Sequence, residues 1–327
     1  MPEAEILSPG GRLRGVVAPV ITPFRADLVP DRKRFIGHCR WLLSQNCGLA
    51  PFGTTSEANS MSIGERISLI NALVAAGIDP SRLMPGTGCC SVAETVELTL
   101  HVVKQGCAGV LMLPPFYYKD VGEEGLYRYF NEVVQRVGDA RLKIYLYHIP
   151  PVAIVGFTPK LVERLLKTYP NAIAGMKDSS GDWTNTRMFL KEFSSDGFDV
   201  FVGSESFLLA NMRNGGAGTI SATANVNPVA IHELYAECSK SKTRDVGNQA
   251  CERETQQARL NVVREVFRNT KFPSMIAALK QAIAIYAKDP VWARVRPPLV
   301  ELTNVQANLL AADLKAIGFT MTGISRD

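Results

Sequence analysis

Between residues 15 and 240, eight short apolar runs alternate strictly with eight longer amphipathic ones, and this alternation narrows the possible folds more than any other feature. The short runs are Gly15–Val20, Gly48–Phe52, Arg82–Pro85, Gly109–Leu113, Lys143–Tyr147, Ile173–Lys177, Asp199–Gly203 and Gly218–Ser221. Helical periodicity fills the intervals 31–45, 62–76, 91–105, 123–137, 159–168, 182–193, 206–213 and 227–240. Several intervals open on N-terminal signals: Ser62 with Glu65 forms a capping box, Pro159 follows Thr158 at the first helical position, and Asp182 can cap its helix. Strand and helix in strict succession call for parallel pairing, because each return to the same sheet edge needs a crossover. An open doubly wound sheet is the competing architecture. No G-x-G-x-x-G follows the first run and no P-loop lysine is present, so a closed α/β structure, a (β/α)₈ TIM barrel, is expected over 1–240. Beyond it, 241–327 reads as helices only, at 244–269, 273–287 and 304–317, a C-terminal helical appendage packed on the barrel.

Length and composition add limits. At 327 residues the chain suits one barrel with an appendage rather than several domains. The formal charge is +5, but the basic residues are scattered, so neither a nucleic-acid groove nor a membrane-binding patch is expected. No apolar stretch approaches the roughly 18 residues that span a bilayer. The opening MPEAEILSPGGRLRG lacks a basic region followed by an apolar core, so it does not read as a secretory signal. The seven cysteines form no C-x-x-C pair and have no histidine at zinc spacing, which fits reduced thiols in a cytoplasmic protein.

In a barrel of this kind the chemistry sits where strands end and the βα loops converge. Lys177 closes the apolar run Ala172–Lys177 and can be read as a nucleophilic amine at the barrel mouth. The alternative is a lysine that reaches solvent or pairs with Asp178. Tyr147 ends the preceding run, 30 residues earlier, about one βαβ unit away, so the two side chains belong to adjacent strands at the same face. A phenol beside an amine can carry protons while an imine forms and hydrolyses; a ring packed in the barrel wall is the alternative. After the second run, Gly53-Thr54-Thr55-Ser56-Glu57 offers backbone and hydroxyl donors to a carboxylate, or is simply a turn. Pro114-Pro115-Phe116-Tyr117-Tyr118 places aromatics on a rigid loop, as a lid, a subunit contact or loop packing. His38, His101, His148 and His232 do not cluster, and no metal site is expected.

Taken together, GTTSE (53–57), PPFYYK (114–119), YHIP (147–150), GMKDSSGD (175–182), GSE (203–205) and GTISATANV (218–226) resemble the dihydrodipicolinate synthase / N-acetylneuraminate lyase family, in order across the whole barrel. The resemblance implies that Lys177 forms a Schiff base with the C2 carbonyl of pyruvate and that Tyr147 shuttles protons at the imine. Thr54 then links Tyr147 to a relay that Tyr118 completes from a neighbouring subunit. Thr55 and Ser56 lie at the substrate carboxylate, Ile220 lines the pyruvate pocket, and Gly203 and Glu205 contact the longer part of the substrate. A homotetramer built as a dimer of dimers is also implied, with no cofactor beyond the covalent imine.

Two departures stand out. The family's glycine in GTTGE is Ser56, which would carry strain if that position needs a positive φ; an altered loop is the other reading. The lysine-pathway synthase carries Arg two residues beyond the Pro of its YNVP-type motif, where this chain has Val152. An Arg fork grips a second carboxylate in a way that Val does not. The segments GMKDSSGD (175–182) and GTGCC (86–90) with TVELT (95–99) look closer to the aldolase branches of the family than to the synthase, so the expected reaction is reversible cleavage of a 2-oxo-3-deoxy sugar acid or 4-hydroxy-2-oxoglutarate to pyruvate and an aldehyde. Dihydrodipicolinate synthesis, a sugar-acid dehydratase and a non-catalytic ligand-binding barrel are the alternatives.

Overall fold

The structure, a computed structural model, describes residues 11–240 and 248–324. Most of the N-terminal segment read above, the start of the helix expected at 244, and the chain just beyond the expected boundary at 240 lie outside the described residues.

Seven strands, β1 (Gly15–Ala18), β2 (Gly48–Leu49), β3 (Val110–Met112), β4 (Ile144–His148), β5 (Ile173–Asp178), β6 (Asp199–Val202) and β7 (Gly218–Ile220), form one parallel sheet in the order β2-β1-β7-β6-β5-β4-β3. The run at 82–85, expected as a strand, is present only as bridges, Leu49 to Leu83 and Gly86 to Leu111. It nonetheless closes the ring. Met84 and Gly86 donate to Leu49 and Pro51 on one side, while Leu111 donates to Pro85 and Thr87 to Leu111 on the other. Pro85 has no N–H to give, and by alternation that missing donor faces β3, so the ladder there is incomplete. The sheet thus curls into the α/β TIM-barrel arrangement. Gly86 is needed at this closure, because a Cβ would run into the carbonyl oxygen of Phe52.

Helices α1 (Arg32–Ser44), α2 (Ile63–Ala75), α3 (Val92–Lys104), α4 (Glu123–Val137), a single turn α5 (Pro150–Ala153), α6 (Pro159–Thr168), α7 (Trp183–Phe193), α8 (Leu208–Arg213) and α9 (Pro228–Lys240) follow in alternation. The cap signals behave as read: Ser62 and Glu65 exchange both capping-box bonds, Thr158 accepts from Leu161 N–H ahead of Pro159, and Asp182 accepts from Thr184 N–H. The interval expected as one helix at 206–213 begins as a 3₁₀ turn at Glu205–Phe207 before α8.

Alternating strand residues divide the core in two. Val17, Ala50, Met84, Leu111, Tyr145, Tyr147, Phe201 and Ile220 fill the barrel interior, while Val16, Leu49, Val110, Leu146, Met176 and Val200 join the larger layer between strands and helices. Beyond α9, α10 (Asn248–Phe267), α11 (Met275–Tyr286) and α12 (Asn304–Ala316) complete the described chain. Helix α10 packs on α9 and on the turn at Glu205–Phe207, and α11 packs on the turn Ala222–Asn225. Two loops that follow strands thereby acquire helical backing. Among the described residues no helix is long and apolar enough to cross a membrane, and all seven cysteines are unpaired.

Candidate active site

Register decides what faces the barrel mouth. In the β4–β5 ladder Tyr147 pairs with Lys177 and His148 with Asp178; in β5–β6, Lys177 pairs with Phe201. Partners in a parallel ladder share a face, so Tyr147, Lys177 and Phe201 point inward together. The Lys177 side chain is only 3% exposed. Its Nζ lies 4.2 Å from the centroid of the Tyr147 ring. The Tyr147 hydroxyl in turn is 3.2 Å from Thr54 Oγ1. Amine, phenol and hydroxyl, from β5, β4 and the loop after β2, therefore stand in series.

Pairing of Lys177 with Asp178 is ruled out by the same alternation. Asp178 faces the helical layer, where its carboxylate accepts from Ser180 N–H (2.8 Å), Thr186 Oγ1 (2.6 Å) and Asn185 Nδ2 (3.1 Å). His148, beside it, accepts from Phe157 N–H through Nδ1 at 3.0 Å. Burial lowers the pKa of His148, against the opposing pull of Asp178. Both residues hold the rim rather than face the mouth.

The Gly53–Ala58 loop is a tight turn: Ser56 N–H and Ala58 N–H donate to Gly53 O, and Glu57 N–H donates to Thr54 O. Thr55 and Ser56 are buried, and among the described residues the Ser56 hydroxyl has no hydrogen-bond partner. The strain considered at Ser56 is absent there. Glu57 takes the left-handed conformation instead, with φ 58° and ψ 34°. Thr22 Oγ1 donates to Ser56 O at 2.8 Å and ties the loop to the segment that follows β1.

Ile220 is buried in the barrel interior on β7; it lies one residue past the Val202–Thr219 pair, as does Gly203 just beyond β6. At Gly203 a Cβ would collide with the Ser179 hydroxyl, so only glycine lets the loops after β5 and β6 approach this closely. Glu205 is not open to solvent. Its carboxylate accepts from Ser221 and Thr223 hydroxyls and from Arg264 Nη1 of α10 at 2.8 Å. Sequence reasoning missed Arg264, Ser221 and Thr223 as a unit, since no motif links residues so far apart.

Tyr118 is 74% exposed and rests edge-on against Tyr117. Within the chain it makes no hydrogen bond to Tyr147 or Thr54. Val152 and Ile154 are exposed on the neighbouring rim, where Lys119 Nζ donates to the carbonyls of Phe116 (2.5 Å) and Ala153 (3.3 Å) and joins the two loops. Ile154 has φ 64° and ψ −47°, a γ-turn geometry that a β-branched residue rarely adopts.

Comparison with known proteins shows the family and the fold. The sequence profile of the "Dihydrodipicolinate synthetase family" matches residues 12–317. An "Uncharacterized DapA-like lyase" of Chloroflexus aurantiacus is 31% identical over 307 residues, covering 93% of this chain and 97% of that one. The 4-hydroxy-tetrahydrodipicolinate synthase of Thermus thermophilus is 36% identical over 234 residues, 71% of this chain and 75% of that one. Among solved structures, dihydrodipicolinate synthase from Agrobacterium tumefaciens superposes with a TM-score of 0.81 at 30% identity, covering 93% of this chain and 99% of that one.

Proposed function

The chain belongs to the dihydrodipicolinate synthetase family, a family of class I lyases, and from that premise we propose that it cleaves a 2-oxo acid reversibly into pyruvate and an aldehyde through an imine on Lys177. The observation that carries this reading is the series Lys177–Tyr147–Thr54, closed by the 4.2 Å and 3.2 Å contacts.

Lys177 attacks the C2 carbonyl of the oxo acid, and Tyr147 relays a proton to the departing oxygen, which leaves as water. The protonated imine then accepts the electron pair of the C3–C4 bond as the C4 hydroxyl loses its proton and departs as an aldehyde. The resulting enamine takes a proton at C3, and water releases pyruvate and the free amine. Because the imine is itself the electron sink, this scheme calls for no cofactor or metal. Thr55, with Ser56 behind it, holds the C1 carboxylate, and Ile220 walls the pyruvate pocket. Gly203 gives room for the longer part of the substrate. Glu205 shapes that end of the site through its bonds to Ser221, Thr223 and Arg264.

Val152, which cannot grip a second carboxylate at the position where a synthase carries Arg, favours a 2-oxo-3-deoxy sugar acid with a single carboxylate over 4-hydroxy-2-oxoglutarate, which ends in a second one at C5. The second reading, condensation of pyruvate with aspartate semialdehyde, has the names of relatives such as the Thermus protein in its favour. The barrel over 1–240 carries the site in this scheme and the helices of 241–327 brace it, in a cytoplasmic homotetramer whose Tyr118 reaches a neighbouring subunit.

Borohydride reduction in the presence of pyruvate, followed by peptide mapping, tests the reading. An adduct on Lys177 is expected; a folded protein without one overturns the imine. A product-resolved screen of 2-oxo-3-deoxy acids and 4-hydroxy-2-oxoglutarate against aspartate semialdehyde then separates the two reactions.

A further inference from the structure

A second lysine is buried in this chain, and the scheme above leaves it without a role. Lys280 lies in α11 with its side chain fully enclosed, in a helix whose inner residues Ala277, Ala278, Leu279, Ala282 and Ile283 are otherwise apolar. Its Nζ bonds to Glu57 Oε1, and that carboxylate is equally enclosed. The other oxygen, Oε2, accepts from Arg296 N–H at 2.7 Å. The ring of Phe24 lies beneath both cations, 4.4 Å from Lys280 Nζ and 4.7 Å from the Arg296 guanidinium. Stability does not explain the charges, because an apolar pair of similar volume usually serves a buried site at least as well.

Position explains them better. Glu57 is the residue held at φ 58°, and its N–H closes the turn on Thr54 O at 3.0 Å. Thr54 is the residue whose hydroxyl meets Tyr147 at 3.2 Å, near the long end of hydrogen-bond range. A drift of Glu57 by less than an ångström would part that contact and shift Thr55 with it. Resting on the imine reading, we propose that Lys280 is a positioning residue: through Glu57 it sets the loop that binds the carboxylate of the oxo acid and orients Tyr147. Burial lowers the Lys280 pKa to about 8 while the Glu57 carboxylate opposes the shift, which leaves the ammonium mainly protonated at neutral pH.

The test is borohydride trapping by pyruvate in the full-length Glu57→Gln/Lys280→Met double variant, which removes both charges together and so leaves no buried ion alone. Expected are a melting temperature close to that of the unaltered protein, trapping still at Lys177, and a half-saturating pyruvate concentration raised about tenfold or more, with the maximal trapping rate changed far less. A purely structural pair would not separate affinity from rate in this way. Should the double variant fail to fold, Glu57→Gln/Lys280→Gln, which is also neutral and keeps an amide oxygen to accept from Arg296 N–H, carries the same comparison. Unchanged half-saturation in a folded variant overturns the positioning role and leaves the imine intact. Failure of the unaltered protein to trap pyruvate on Lys177 overturns the imine reading first, and the inference with it.

Discussion

At the scale of single residues, the side chains to which we assign chemistry are distinguished from their neighbours by which way they point. Lys177 and Asp178 are adjacent in sequence, yet one faces the barrel interior and the other the helices. Removing the amine with Lys177→Ala should abolish turnover by several orders of magnitude while the far-ultraviolet dichroism stays unchanged; retained activity would strip Lys177 of its role. Tyr147→Phe keeps the ring under Nζ and loses only the proton carrier. Turnover should fall roughly 10²–10⁴-fold with Lys177 still trapped by pyruvate. A third prediction concerns stability. His38 is enclosed between Trp41 and Trp292, with ring centroids at 5.5 and 5.2 Å, and shares Nε2 with Asn225 Oδ1 at 3.2 Å. Asn225 Oδ1 can only accept, and does so also from Ile21 N–H, so Nε2 is the donor. Burial lowers its pKa from 6.5 to about 4. Between those values the unfolded chain holds a proton that the folded one refuses, so stability falls as pH drops from 6.5 toward 4, by at most about 3 kcal/mol from this group. Denaturant melts at pH 7 and 4.5 should show a smaller loss in His38→Gln; an equal loss would clear His38 as the cause.

At the scale of elements, local signals and long-range pairing part company. Caps at Ser62, Thr158 and Asp182 act within one turn of the chain and were readable for that reason. Whether Arg82–Pro85 ladders or merely bridges depends on its neighbours and on a donor that Pro85 lacks, and periodicity alone does not carry that information. The loop after β6 follows the same rule. The family resemblance sets Glu205 against the longer part of the substrate, yet Arg264 arrives from α10 and holds its carboxylate in the interior. Arg264→Met leaves that carboxylate buried with hydroxyl partners only. Stability should drop by about 3 kcal/mol in urea denaturation, and a loss below half that would mean water enters the pocket.

At the scale of the whole molecule, Tyr117, Tyr118, Val152 and Ile154 remain exposed on two loops that Lys119 clasps together. The proposed homotetramer would cover such side chains, and a second copy of the chain would bring Tyr118 toward a neighbouring site. A Tyr118→Asp/Ile154→Lys double variant should sediment as a smaller species than the unaltered protein and should lose turnover in proportion. An unchanged mass would place any oligomer contact elsewhere.

Alternation of apolar and amphipathic runs was enough for the parallel α/β barrel, because period is a property of the chain itself; strand-end spacing put Lys177 and Tyr147 at one face, and the family resemblance of their motifs joined Thr54 to them as one site. Tertiary structure alone decided that the amine stands over the phenol, that the strained position is Glu57 rather than Ser56, and that Lys280 and Arg264 reach back under the loops. Those contacts join residues as many as 223 positions apart, and only the packing of one helix against one loop brings such distant charges together.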